Sequence, residues 1–433
     1  MPKKVLLLSL IAVLVTVNGF AGGQKETSQG PVTIQIAYPV AVDAPVTEIL
    51  DGYARDFMAS HPGVTIEPVY AGGYTDIKTS IQTAIDGGGQ APALAVMLAT
   101  DLFDLVNAQY VEPLSDYVDE MKDGKTYLND FLPVFLDNSY YQGKLWSLPF
   151  QRSAVVMYYN ADLLEKEGIT PPDSWDALAS TAEALTLKDG DAVKRWGIEW
   201  PSGWPYWVFQ PLAIGAGQNI IGESDTEVYF DNPSVIDAVK YYNSLSATYH
   251  AMPAGVQSSW GNVVPNFVSG NTAMIVHSSG SLSKILSQAD FTVGVCGVPG
   301  KEKGTFASVP GGGNIYMVSG LSDAQKKAAF EFAVFMTDPS RAAQFSIQTG
   351  YIATRKRAYD QDVMKEYIKE HPQALETRKA LDNAGKELSL QNLNQVRTIF
   401  HTYIQAAFNG DMTAEAAMAQ AQKEADEALK DFR

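Results

Sequence analysis

Residues 202–207 (SGWPYW) carry the densest group of side chains suited to binding chemistry, with three aromatic rings within four residues. Indole faces stack on the C–H faces of sugars and polyols, and an indole N–H donates to a hydroxyl or phosphate oxygen. Gly203 and Pro205 disfavour a long helix or a central strand at this point. The segment therefore predicts rings held on irregular backbone, which either contact a ligand or pack into the core of their own domain.

The first 21 residues have the pattern of a secretory signal peptide. Two lysines precede an apolar run over residues 5–17, and the small residues that a signal peptidase reads end at Ala21. The run is too short to span a bilayer comfortably. We expect cleavage after Ala21, a flexible tether over residues 22–30, and a periplasmic or otherwise extracytoplasmic mature chain. No cysteine stands at the cleavage point, so no lipid anchor of the lipobox type is expected.

Composition and charge restrict the number of domains and the classes of molecule that the protein can bind. A chain of 433 residues is too long for one hydrophobic core, so two domains are expected. The 32 basic and 49 acidic residues argue against nucleic acid and anionic membranes as partners. A small anion stays compatible, because one cation and a few backbone N–H groups can capture a phosphate inside an acidic protein. Cys296 is the only cysteine and is expected to be a buried structural thiol.

The first part of the chain alternates strands and helices. Strands are predicted at residues 32–38, 64–70 and 93–98, and helices at 46–60, 74–86 and 102–108. These lengths imply βαβ crossovers on a parallel sheet. Ligands of such sheets bind beyond the carboxyl ends of the strands, where Tyr74 and residues 99–101 fall.

The pattern changes after residue 140. Residues 144–159 predict a strand, a break at Pro149 and a second strand, which suits a crossing into the second domain. Residues 307–318 return to strand after a run of glycines, and residues 360–432 predict almost only helices. Further helices are predicted from Pro171-Pro-Asp-Ser-Trp175 and at residues 232–247, 325–337 and 339–348.

Motifs of common exported hydrolases are missing. No two of the five histidines have metal-ligand spacing, and no Gly-x-Ser-x-Gly motif occurs. An exported phosphodiesterase or glycosidase is therefore the least favoured class, and the chain is expected to be no enzyme. No metal or other cofactor is expected.

In chain order, these segments resemble the family 1 extracellular solute-binding proteins of ABC importers, over essentially the whole mature chain. Within that family they most resemble the branch that binds sn-glycerol 3-phosphate. The strings that carry the resemblance are SGWPYW (202–207), FVSGNTAM (267–274), SSGSL (278–282), TGY (349–351) and QVRT (395–398).

The resemblance implies an α/β fold of the type 2 periplasmic-binding class, with a sheet flanked by helices in each of two lobes. Lobe one would comprise residues 31–149 and 308–352, and lobe two residues 150–307 and 353–433. A monomer would trap one ligand in the cleft by hinge closure near Pro149, Gly311 and Ile352. It would then deliver the ligand to the subunits of a membrane permease.

The resemblance also implies the roles of particular residues. Trp204 and Trp207 would pack a glycerol unit and donate their indole N–H groups. The phosphate and hydroxyl donors would be Tyr74, Ser153, Ser278, the backbone N–H of Gly312, Tyr351 and Arg397. Apart from the resemblance, Arg397 reads equally as a surface or salt-bridging arginine and Ser278 as a helix cap.

Two positions depart from the family pattern. Ala99 stands where a glutamate for ligand hydroxyls is expected, so either Asp101 takes over that contact or the ligand lacks the feature. Arg152 stands beside Ser153, where it either adds a phosphate contact or pairs with an acid on the surface. The candidate ligands are therefore sn-glycerol 3-phosphate, a glycerophosphodiester or another phosphorylated polyol. A neutral sugar or oligosaccharide bound by the same fold is the alternative.

Overall fold

The computed structural model describes residues 31–255 and 257–433. The predicted signal peptide and tether lie outside the described residues. The strands, in chain order, are β1 (Val32–Tyr38), β2 (Val64–Tyr70), β3 (Leu94–Leu98), β4 (Val111–Glu112), β5 (Tyr140–Tyr141), β6 (Lys144–Leu145), β7 (Ser147–Asn160), β8 (Leu187–Asp189), β9 (Ala192–Glu199), β10 (Thr272–Ser278), β11 (Val293–Cys296), β12 (Val298–Pro299), β13 (Phe306–Ala307) and β14 (Pro310–Val318).

Helices cover most of the remaining chain. They are α1 (Val46–Ser60), α2 (Tyr74–Asp86), α3 (Leu102–Asn107), α4 (Ser115–Glu120), α5 (Gly124–Asn129), α6 (Pro133–Leu136), α7 (Ala161–Lys166), α8 (Trp175–Leu185), α9 (Pro205–Gly215), α10 (Pro233–Ala247), α11 (Trp260–Val268), α12 (Leu282–Gln288), α13 (Asp323–Met336), α14 (Pro339–Thr349), α15 (Asp362–Glu370), α16 (Gln373–Lys379), α17 (Leu393–Asn409) and α18 (Ala414–Leu429). Short 3-10 helices include Ala99–Asp101 and Ser279–Ser281.

The opening βαβ unit follows from the spacing of apolar residues. Helix α1 buries side chains three and four positions apart, which places them on one face. Strand β1 pairs in parallel with β2 and β3, with Val32 opposite Val64 and Ile36 opposite Leu94. The predicted parallel sheet is therefore confirmed.

One hydrogen-bonded path joins the strands of both halves of the chain. Its order is β2-β1-β3-β14-β7-β10-β9-β8, with β4 paired to β14 and β11 paired to β7. The pairings of β14 with β3 and of β7 with β14 and β10 are antiparallel. The chain thus has the predicted mixed α/β architecture, with helices packed on the strands.

Strand β7 is longer than the sequence suggested. It runs without interruption through Pro149, so the predicted break there is wrong. Pro149 lies opposite Asn314, where the β7–β14 register shifts between Gly313 and Asn314. A proline has no N–H to donate, and such an irregularity is where a strand tolerates it.

Two large hydrophobic clusters flank the β7–β14 pair. Leu148 and Phe150 of β7 belong to the cluster around β1, β3 and α13. Val155 and Met157 of the same strand belong to the cluster around α9, α10, α17 and α18. The strand therefore changes core along its length, which suits a crossing between lobes; the lobe boundaries themselves stay a prediction.

The C-terminal region contains an irregular stretch that the sequence did not reveal. Residues 384–392 connect a 3-10 helix to α17 without helical structure, whereas residues 360–432 predicted almost only helices. Leu388 and Leu390 are nonetheless fully buried. This connection becomes important for the site described below.

Two smaller expectations concern single features. Cys296 is half-buried, and burial raises the pKa of its thiol to about 12, so it is held as a neutral thiol. Among the described residues, none of the helices combines the length and apolarity that crossing a bilayer requires.

A substitution of Phe400 tests how tightly the hydrophobic cluster around α17 is packed. Its ring is fully buried and packs against Phe209 and Phe230. Phe400→Ala should lower the free energy of unfolding by about 3–5 kcal/mol, because a buried ring leaves a cavity when it is removed. Thr402→Ala, on the exposed face of the same helix, should change it by less than about 0.5 kcal/mol. Urea unfolding measures both, and equal midpoints would contradict this packing.

Candidate ligand-binding site

A cavity of about 50 Å³ lies between the two large clusters, above the β7–β14 pair. One buried water needs about 10–15 Å³ of such space, so the cavity has room for roughly four waters. The structure brings seven of the predicted site residues to its wall: Tyr74, Ser153, Trp204, Trp207, Ser278, Gly312 and Tyr351. Their roles toward a ligand stay predictions.

Glycines form the floor of the cavity because larger side chains do not fit there. Gly312 has a φ of 91°, and a Cβ on it would lie 2.0 Å from the carbonyl oxygen of Gln151. A Cβ on Gly311 would lie 2.3 Å from the ring of Trp207. The glycine run lies within β14, opposite Ser153 and its neighbours. Because glycines have no side chain, the backbone at this point can approach a ligand closely.

The aromatic wall stands at the start of α9. Trp204 has a left-handed backbone, with a φ of 56°, and Pro205 is the first helical residue. Tyr206 and Trp207 are already helical, so the prediction of irregular backbone holds for Trp204 only. All three rings line the cavity and also contribute to hydrophobic clusters, so both interpretations of this segment apply.

The indole N–H of Trp207 already has a hydrogen-bond acceptor within the protein. Its indole N–H donates to the carbonyl oxygen of Pro310 at 2.8 Å. The expectation that this N–H serves the ligand is therefore wrong, and the ring offers its face. Ser278 accepts a bond from the backbone N–H of Gly280 at 3.1 Å, so it is a helix cap as well as a cavity residue.

Two of the predicted site residues on the cavity wall are tyrosines, Tyr74 and Tyr351. Tyr74 is the first residue of α2, is 5 % exposed, and has a buried hydroxyl without a hydrogen-bond partner among the described residues. Burial raises the pKa of Tyr351 to about 12. Both hydroxyls are therefore protonated donors, and that of Tyr74 is unsatisfied.

Arg397 reaches the aromatic wall from α17. Its guanidinium carbon lies 5.9 Å from the ring centre of Trp204 and 5.6 Å from that of Tyr206. One terminal nitrogen, Nη2, donates to Asn394, but Nη1 is buried and has no partner in the part of the chain that the structure describes. No ion pair within the described residues involves Arg397, so it is not a salt-bridging arginine, and its side chain is half-buried rather than fully exposed.

Arg152 is the clearest correction to the sequence analysis. It is fully buried, so its expected pairing with an acid on the surface is wrong. It pairs inside the protein with Glu387, with 3.5 Å between Nη2 and Oε2, and also donates to the carbonyl of Gly312. Strand β7 is buried almost throughout, so a charged side chain on it needs a buried counterion.

Asp101 does not line the cavity. Its carboxylate pairs with Lys78 at 2.9 Å and is 3 % exposed. Lys78 bridges to Asp104 as well, which fixes the turn after β3. The carboxylate of Asp101 is thereby committed to the protein, and burial raises its pKa although Lys78 opposes the shift.

Sequence reasoning missed six residues of the cavity wall; three of them are aliphatic, and the other three are Tyr206, Trp260 and Glu387. Tyr206 lies within the aromatic hexapeptide, whose density was a usable signal. Trp260 contacts Trp207, with ring centres 6.1 Å apart, and lies over His277 at 3.9 Å. Glu387 stands in the irregular stretch before α17, and burial raises its pKa while the paired guanidinium of Arg152 opposes the shift and favours the ionised carboxylate.

His277, behind Trp260, gives a pH-dependent prediction. It is 2 % exposed, and burial lowers its pKa to about 4, helped by Lys284. An unfolded histidine has a pKa near 6.5, so the unfolded chain takes up the proton first and stability falls as pH drops from 6.5 toward 4.

Between pH 7 and pH 5 this effect should remove about 2 kcal/mol from the free energy of unfolding. His277→Gln cannot titrate and should lose correspondingly less over that interval in urea unfolding. The same substitution at the exposed His250 is the control. Equal pH slopes for wild type and His277→Gln would contradict the prediction.

No group of acidic, histidine or cysteine side chains in the described ranges is arranged to hold a metal ion. The arrangement is instead that of a small, largely aromatic cavity with unsatisfied polar groups. Such a site suits binding of a small polar molecule.

Comparison with known proteins agrees with a site that binds a small molecule. The family described as "Bacterial extracellular solute-binding protein" matches residues 52–374. The sn-glycerol-3-phosphate-binding periplasmic protein UgpB of Pectobacterium atrosepticum is 25 % identical over 405 residues, covering 88 % of each chain. That of Escherichia coli (strain K12) is also 25 % identical, over 442 residues, covering 96 % of this chain and 97 % of its own.

Solved structures share the fold at lower identity. UgpB from Mycobacterium tuberculosis in complex with glycerophosphocholine has a TM-score of 0.81 and 20 % identity, covering 93 % of this chain and 99 % of its own. Maltose-bound MalE3 of T. maritima has a TM-score of 0.79 and 22 % identity, covering 93 % and 100 %. The chain belongs to the bacterial extracellular solute-binding proteins, the ligand-capturing components of ABC importers, which are transport proteins rather than enzymes.

Proposed function

We propose that this protein captures sn-glycerol 3-phosphate or a glycerophosphodiester outside the cytoplasm and delivers it to the permease. The observation that carries the proposal is Arg397. Its buried Nη1 has no partner among the described residues, and it stands beside the aromatic wall of the cavity. A buried charge is costly without a partner, so an anionic ligand would complete this site.

The remaining hydrogen-bond donors of the site would bind the same ligand. Arginine presents a planar fork that matches two phosphate oxygens. Arg397 lies beside Trp204 and Tyr206 rather than on the cavity wall itself, whereas Ser153, Ser278 and Gly312 line the cavity. The rings of Trp204 and Trp207 would pack the glycerol carbons. Hydrogen bonds to charged groups contribute about 1.5–3 kcal/mol each, and micromolar affinity needs only about 8 kcal/mol.

The size of the cavity favours a small ligand. Space for roughly four waters suits a three-carbon polyol phosphate better than a sugar chain. The named function of the relatives at 25 % identity, binding of sn-glycerol 3-phosphate, supports the same ligand class.

Hinge closure is the proposed mechanism. The three expected hinge segments lie side by side, because Pro149 is opposite Asn314 and the N–H of Ile352 donates to the carbonyl of Arg152 at 2.9 Å. Lys284 of α12 pairs with Asp43, after β1, at 2.9 Å, which would hold the closed form. A ligand that contacts both walls binds the closed form better, and only such a difference shifts the equilibrium.

A neutral sugar is the second candidate, favoured by one observation. Three tryptophans, Trp204, Trp207 and Trp260, line the cavity, and indole faces are good platforms for sugar rings. This candidate leaves Nη1 of Arg397 without a charged partner, and for that reason we rank it second.

Titration calorimetry with sn-glycerol 3-phosphate, glycerophosphocholine, inorganic phosphate and maltose tests the proposal. A glycerophosphate compound should bind with micromolar or tighter affinity. Arg397→Ala should weaken that binding roughly ten- to hundredfold, because charge-assisted bonds are lost. Arg378→Ala, which removes a partly exposed arginine paired with Asp382 far from the aromatic wall in sequence, should leave it unchanged.

Other outcomes separate the alternatives. Binding of maltose alone, insensitive to Arg397→Ala, would overturn the phosphate ligand and leave the family assignment intact. Release of choline from glycerophosphocholine by the purified protein would instead reveal a hydrolase.

A further inference from the structure

Glu387 is the one acid among the described residues that line the cavity. It is 3 % exposed, and it comes from the irregular residues 384–392 rather than from the end of a strand. A carboxylate is the strongest acceptor that a protein can offer to a hydroxyl group. The other polar side chains of the cavity wall are neutral hydroxyl and indole groups, so Glu387 is its strongest acceptor.

One oxygen of Glu387 is fixed by the protein and the other is not. Oε2 accepts bonds from Nδ2 of Asn138 at 3.1 Å and from Nη2 of Arg152 at 3.5 Å. None of the hydrogen bonds within the described residues uses Oε1. The carboxylate is therefore held in place and charge-balanced from one side, with an acceptor left for a further donor.

The position of Glu387 is set by bonds from distant parts of the chain. Ser389 Oγ donates to the carbonyl of Thr100 at 3.1 Å, which ties the stretch to the turn after β3. The backbone N–H of Leu388 donates to Gln210 of α9, and that of Gly385 to Ser308. These bonds place Glu387 in the cavity wall near the end of β3, where Ala99 has no side-chain acceptor.

We propose that Oε1 of Glu387 accepts a hydrogen bond from a hydroxyl of the ligand, opposite the anionic end held by Arg397. This inference rests on the proposed function and specifies its substrate class: a phosphorylated compound that carries at least one free hydroxyl near the phosphate. Arg152 neutralises Glu387 from behind, so the carboxylate does not repel the bound anion.

The test compares sn-glycerol 3-phosphate with n-propyl phosphate, which has the same carbon chain and phosphate but no hydroxyl. The wild-type protein should bind sn-glycerol 3-phosphate roughly ten- to hundredfold more tightly than propyl phosphate, as expected for a bond to a charged group. In Glu387→Gln this ratio should fall at least about fivefold. A ratio is measured within one variant, so a general loss of stability does not change it.

Asp130→Asn is the matched control. Asp130 forms the other buried arginine–carboxylate pair, with Arg355 at 2.8 Å, and does not line the cavity. Its ratio of affinities should equal that of the wild type. Should Glu387→Gln fail to fold, Glu387→Asp keeps a counterion for Arg152 but withdraws the acceptor, and the ratio should fall in the same way.

Two outcomes would overturn the inference. A folded Glu387→Gln with the wild-type ratio would mean that Glu387 only balances Arg152, while the proposed function would stand. If the wild type binds neither of these phosphate compounds nor glycerophosphocholine, the proposed function fails, and the affinity for maltose then tests the role of Glu387 by itself. A weakened maltose affinity in Glu387→Gln would still support a hydroxyl acceptor, whereas an unchanged affinity, or no binding of any probe by the wild type, would overturn it.

Discussion

The antiparallel pairing of β7 with β14 is the constraint on which the rest of the structure depends. On one side β14 pairs with β3, and on the other side β7 pairs with β10 and β11. The two strands therefore hold both hydrophobic clusters and form the floor of the cavity. Because that floor must accommodate the ring of Trp207 on one side and that of Tyr74 on the other, it consists of glycines at positions 311–313.

Beneath the floor, a buried polar network keeps this arrangement rigid. Asn314 donates to the hydroxyls of Ser139 and Ser147 at 3.1 and 2.9 Å and accepts from Arg152 at 3.4 Å. Arg152 in turn pairs with Glu387. Buried polar groups are favourable only when nearly all are satisfied, so such a network selects one conformation of the strands. The network also connects the floor of the cavity to Glu387 in the cavity wall.

The sequence predicted the bounds of strands and helices correctly where a regular spacing of apolar residues ended at a clear glycine or proline break. Strands β1 and β2 and helices α1 and α2 begin and end where the apolar spacing and the glycine and proline breaks predicted. Residues 384–392 were included in a region predicted as almost only helices, whereas they donate their hydrogen bonds to Gln210, Ser308 and Thr100. Contacts so distant in sequence leave no local pattern, and Glu387 was missed for that reason.

The fold alone does not decide the ligand, since structures of this shape accompany both glycerophosphocholine and maltose at about equal similarity. The decision lies in two charged groups of the site, the guanidinium of Arg397 and the carboxylate of Glu387. A neutral sugar would satisfy the carboxylate and leave the guanidinium unpaired, whereas inorganic phosphate would do the reverse. Because each unsatisfied buried group costs about 1–3 kcal/mol or more, a molecule with both an anionic and a hydroxyl end fits this pair of residues best.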